Sequence, residues 1–155
     1  MKYIKKIFEV EEWEPSNLFD AVTSCGVEEI MELIKAGADP NYKGSSGATP
    51  LLWAVFNKDT RVVKELLKAG ADPNISNDMG NTPLIMAAYN NDMDIVMELL
   101  KYDVDWNYKQ DESDISKDFY EYLNVRNKYL VRDAFPEKYR KYLARKKGKK
   151  YNLFK

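Results

Sequence analysis

The chain has 155 residues, 45% of them hydrophobic, and a formal net charge of −1. That is the length of one domain, with enough apolar side chain for a continuous core, and it contains no apolar run long enough to cross a bilayer. Cys25 is the single cysteine and histidine is absent, which excludes an internal disulfide and the common histidine-dependent acid/base and nucleophilic sites.

Residues 1–15 include Ile4, Ile7, Phe8 and Val10, which suit a short helix or an extended arm that caps whatever follows. They carry no secretory-type apolar run, so a soluble cytoplasmic protein is expected. Pro15 closes the segment, because it disfavours helix at the residue before it.

From Ser16 the chain repeats itself. Thr49-Pro50-Leu51 returns as Thr82-Pro83-Leu84, and Gly37-Ala38-Asp39-Pro40-Asn41 returns as Gly70-Ala71-Asp72-Pro73-Asn74, each after 33 residues. Ser16, Thr49 and Thr82 stand in N-cap positions, and Pro50 and Pro83 follow where a helix loses no amide bond. First helices are predicted over 18–24, 51–57 and 84–90, with Ala21, Ala54 and Ala87 small enough for close helix approach. Second helices carry Ile30/Leu33/Ile34, Val63/Leu66/Leu67 and Val96/Leu99/Leu100 at i, i+3, i+4 spacing and end at Gly37 and Gly70. Two motifs sharing one period indicate a solenoid of stacked helix pairs.

The T-P-L-x-x-A opening, the V-x-x-L-L run and the G-A-D-P-N exit resemble the ankyrin-repeat family over Ser16 to about Ser113. The resemblance implies an all-α solenoid of helix pairs with short β-hairpin fingers at 41–47 and 74–80. It also implies a concave protein-binding face and no cofactor or metal. Leu52 and Ile85 stand where the family pattern has His, replacing a polar tie with apolar packing. Cys25, Lys58 and Asn91 replace a Gly in the inter-helix turn, where a slight distortion is expected.

The third exit decays to Tyr102-Asp103-Val104-Asp105-Trp106-Asn107, and a divergent fourth unit follows. Ile115-Ser116 takes the Thr-Pro place, Phe119, Tyr122 and Leu123 mark a first helix, and Tyr129, Leu130 and Val131 a second. A further helix over 137–146, with Phe135, Tyr139, Tyr142 and Leu143 on one side, is expected to dock as a C-terminal cap. The organisation is thus a cap or arm at 1–15, three repeats at 16–113, and a fourth unit with basic capping helix at 114–155.

Charge is split unevenly. Residues 1–113 hold 20 acids and 11 bases, whereas residues 114–155 hold 5 acids and 13 bases. Lys138–Lys150 alone carries eight bases and no acid. It suits phosphate backbones or anionic lipid, a cap on the acidic body, or a solvated end; the last two together are the favoured reading.

No Walker loop or nucleophile elbow is present. Asp103, Asp105, Asn107, Asp111 and Asp114 approach a calcium-loop spacing, but Tyr108 occupies the required Gly position and Asp114 the required Glu. The informative pattern is a ladder: Phe56, Tyr89 and Tyr122 recur every 33 residues, with Trp53, Met86 and Phe119 three residues earlier. Aromatic residues and Met are enriched at desolvated interface centres; for Trp53 and Met86 an outer layer of core serves equally well. Lys43, Ser45, Ser46, Asp78, Met79, Lys109, Asp111 and Glu112 fall at the fingertips. A non-enzymatic, monomeric module is expected, binding a partner protein with a basic surface through this face, as an inhibitor, an immunity or antitoxin-type protein, or an adaptor. The alternative is nucleic-acid or anionic-membrane binding through the tail.

Overall fold

A computed structural model describes residues 22, 27–106, 108 and 119–151, with the side chains of Ser45 and 147–151 outside the description. Its helices are α1 (Val27–Lys35), α2 (Pro50–Phe56), α3 (Thr60–Lys68), α4 (Pro83–Tyr89), α5 (Met93–Leu99), α6 (Phe119–Tyr122), α7 (Val125–Ala134) and α8 (Pro136–Tyr151). First helices pack in one layer, α2 on α4 and α4 on α6, and second helices in another, α1 on α3 and α3 on α5. The N-terminal arm, Ala21, Cys25 and Ile115-Ser116 lie outside the described residues.

Each middle unit starts as its sequence dictates. The buried hydroxyls of Thr49 and Thr82 accept hydrogen bonds from the Leu52 and Ile85 amides, each at 3.3 Å. Such a cap contributes about 1 kcal/mol. Ala54 and Ala87 are fully buried where the layers touch, and Leu52 and Ile85 are buried as apolar replacements. Val63, Leu66, Val96 and Leu99 complete a core continuous across units.

The two described inter-helix turns share one geometry. Lys58 and Asn91 both take φ 59, and the following amides return to Ala54 and Ala87 carbonyls at 3.1 and 2.9 Å. Two backbone bonds at each turn hold a left-handed residue there whether it is Lys or Asn.

Gly37 and Gly70, at φ 97 and 91, end α1 and α3 in a left-handed exit. Asn41 and Asn74 then tie unit to unit. The Asn41 amide donates to the Gly70 carbonyl and its Oδ1 accepts from the Asp72 amide at 2.7 Å; Asn74 repeats this with Asp103 and Asp105. The fingers are tighter than hairpins: among the described residues no strand forms. Two backbone bonds close each finger, Gly44 amide to Ala48 carbonyl with Gly47 amide to Gly44 carbonyl, and Asn77 amide to Asn81 carbonyl with Gly80 amide to Asn77 carbonyl.

The fourth unit changes register. Counting from the N-caps Asp59, Asp92 and Asn124, the core pair Leu66 and Leu99 is continued by Val131. The three residues expected in a second helix are in it; Val131 is fully buried, and Tyr129 and Leu130 are 54% and 49% exposed. No left-handed residue precedes Asn124, so α7 begins one residue early in the 33-residue period and turns those two outward. Lys128 and Arg132 fall at the places of Val63/Val96 and Leu67/Leu100 and are half-buried. Lys128 lies over the Tyr120 ring, 5.6 Å from its centroid, and Tyr120 packs on Tyr139 of the cap.

The cap helix α8 is longer than expected and crosses the decayed exit. Asp103 has replaced the Gly and does not take positive φ, so the Leu100 carbonyl finds another donor, the Lys138 ammonium, which also reaches the Tyr102 carbonyl beside the Val104 amide. Burial lowers the Lys138 pKa, an effect that the Asp103 charge opposes. Around this bond Trp106, Phe119 and Tyr142 form a buried aromatic cluster, with ring centroids 5.0 and 6.2 Å apart.

Candidate partner-binding surface

Seven-residue first helices with Pro at the start expose little side chain, and their last residue is the one that leaves the core. Phe56 and Tyr89 hold that place in α2 and α4 and are 60% and 73% exposed. Tyr122, the third rung, is half-buried and meets Tyr89 edge-on at 5.8 Å. Phe56 in turn stands edge-on to Trp53 at 5.5 Å. One turn lower, Trp53 and Met86 are half-buried against the core. They serve both as outer core and as the floor of the ladder. Phe119, their counterpart in the fourth unit, is core under Trp106.

The fingers add a second wall. The Asp78 amide donates to the Ser46 carbonyl at 3.1 Å, so neighbouring fingers are bonded to each other. Ser46 accepts φ 67 to aim that carbonyl. A Cβ on Gly47 would stand 2.4 Å from Asp78 Oδ1, so only glycine permits the approach. Asn77 Oδ1 accepts from the amides of Met79 and Asn81, which holds Met79 at the tip, 74% exposed. Lys43 and Asp78 are exposed at the rim. Lys109, Asp111 and Glu112 lie outside the described residues, as does the side chain of Ser45.

Between fingers and first helices the surface is hollowed beside Trp53, Phe56, Met79 and Met86. Neither α2 nor α4 contains a charged residue. Asp78 is the acid at the rim; Glu28, Glu29 and Glu32 lie on α1, Asp59 and Asp92 at second-helix starts, Asp39 and Asp72 in exit turns.

The calcium-like spacing has a structural explanation where it is described. Asp103 and Asp105 are held by Asn74, and the Asp105 carboxylate faces Arg145 at 3.6 Å. The basic tail is drawn onto the body in the same way. Lys138 bonds exit carbonyls, and Lys146 reaches Glu121 at 2.5 Å and the Tyr142 hydroxyl at 2.8 Å.

The family model for ankyrin repeats matches residues 18–110 in three copies. The chain belongs to the ankyrin-repeat family. Comparison with curated proteins finds no match. Trp53, Phe56, Met79 and Met86 line one hollow, and Tyr89 and Tyr122 line the next one across Met86. Sequence reasoning missed Asn77, Asn81 and Ala48 as parts of this surface, since turn residues read only as turns. It also missed the unit-to-unit role of Asn41 and Asn74, although their 33-residue repetition was the available signal. Among the described residues no helix is long and apolar enough to cross a membrane.

Proposed function

We propose that this ankyrin-repeat chain is a non-enzymatic, monomeric cytoplasmic protein that binds a partner protein through its concave face. The observation that carries this is the ladder Phe56–Tyr89–Tyr122, whose two leading rings are exposed beside a hollow that the fingers wall in. Exposed aromatic rings on a rigid floor lose little side-chain entropy when covered. Lys43, Ser45, Ser46, Asp78 and Met79 are proposed as its rim, with Asp111 and Glu112 offering negative charge to a basic partner surface. An inhibitor, an immunity or antitoxin-type protein, and an adaptor all fit such a module.

The test is affinity capture from native lysate with wild type beside Phe56→Ala/Tyr89→Ala. Two interface aromatics removed together should cost at least about 2 kcal/mol of binding. Because both rings are exposed, unfolding stability should change far less. A partner retained by the double variant would overturn the reading. Nucleic-acid or anionic-lipid binding through Lys138–Lys150 is the second reading; the docking of Lys138, Arg145 and Lys146 onto the body leaves it fewer free charges.

A further inference from the structure

Two hollows lie side by side along the ladder. One, of about 140 Å³, opens among Trp53, Phe56, Met79 and Met86; the other, of about 270 Å³, among Ile85, Met86, Tyr89 and Tyr122. Met86 is the wall they share. No carboxylate, ammonium or guanidinium lines either one, and the polar groups at their edges are neutral: Ser46, Asn77 and Asn81.

We propose that this double hollow takes a proline-rich segment of a partner protein in the polyproline II conformation, with one apolar side chain in each hollow. The inference deepens the partner-binding reading and rests on it. Spacing is the first argument. Packed helices stand ~8–10 Å apart, so hollows over successive first helices repeat at about that distance. A polyproline II chain returns to the same face every three residues at ~3.1 Å each, about 9 Å. A β-strand returns every two residues, at ~6.6 Å, and falls out of step.

Charge complementarity is the second. A charged side chain placed in either hollow would lose water and meet no counter-charge, so the occupant must be uncharged where it enters. The third is backbone chemistry. Polyproline II leaves its carbonyls unbonded and available to amide donors such as the Asn77 side chain, whose oxygen is already engaged with the Met79 and Asn81 amides. A helical occupant has its carbonyls satisfied internally.

The probe is a fluorescein-labelled peptide of repeated Pro-Leu-Ser, titrated with the full chain by fluorescence polarisation. A peptide of identical composition, with Leu and Ser alternating and the prolines gathered at one end, is the control. Saturable binding of the first peptide alone is expected. Met79→Ser, exposed enough to spare the fold, should weaken it about tenfold, or ~1.4 kcal/mol, with an unchanged circular-dichroism spectrum, and Lys141→Ala should leave it unaltered. Absence of saturable binding, equal binding of the control peptide, or indifference to Met79→Ser overturns the inference. If partner capture still requires Phe56 and Tyr89 while the peptide fails, only the polyproline II occupant is rejected. If capture is indifferent to the ladder, both readings fall.

Discussion

The middle units and the fourth unit face the same two problems and solve them by different means. In the middle units the ends of second helices are closed locally, as Gly70 turns left-handed at φ 91, its own amide donating to the Leu67 carbonyl and that of Ala71 to Leu66. At the third exit the turn residue is Asp103, and closure comes from Lys138, 35 positions along the chain. The cores differ in parallel. Between α2 and α5 the filling is aliphatic and periodic, whereas beyond Leu100 it is the aromatic group Trp106, Phe119, Tyr120, Tyr139 and Tyr142. What the comparison teaches is that a repeat may lose its local closing residue if a later segment supplies the missing donor, and that the supplying segment then becomes part of the fold.

The largest expected effect separates two phenylalanines of one ladder. Phe119→Ala opens a cavity in the buried cluster and should cost ~3–5 kcal/mol, whereas the exposed Phe56→Ala should stay within about 0.5 kcal/mol, both by chemical denaturation. Equal losses would erase the distinction between core and surface rungs.

Next come the two closures. Lys138→Met leaves the Leu100 carbonyl without its donor, while Tyr102 keeps the Val104 amide, and should cost ~1–3 kcal/mol. Gly70→Ala meets no neighbour but must hold positive φ, for ~1–2 kcal/mol. Asp103→Gly should recover part of the Lys138→Met loss, since it permits the local turn. A double-mutant cycle with no coupling between positions 103 and 138 would show the closures to be unrelated.

The smallest effect is titration of the cap. Burial, and then the hydrogen bond with Tyr139, raise the Tyr120 phenol above its ordinary 10.0. Below that value the folded and unfolded chains both hold the proton and the cap keeps its full stability. As pH rises past it the unfolded chain ionises first, so stability falls until the folded phenol ionises too. Thermal melts followed by tyrosinate absorbance should show an alkaline decline that Tyr120→Phe reduces; an identical decline in the variant would remove Tyr120 as its source.

The 33-residue period determined by itself the helix pairs, their Thr caps, the buried alanines and the aliphatic stripes, because each is set by residues a few positions apart. It also placed Phe56 and Tyr89 at the exposed ends of their helices. Where local rules gave way to distant contacts, only the tertiary structure decided. The Trp53 and Met86 side chains became floor, Phe119 became core, and a one-residue shift at Asn124 turned Tyr129 and Leu130 outward. The uncharged character of the ladder was written in α2 and α4, yet the nearness of Asp78 in the finger depends on how the fingers bond to each other. The fate of the basic tail rested likewise on the Leu100 carbonyl left open at Asp103, a demand that is met only when the cap helix and the third exit meet in space.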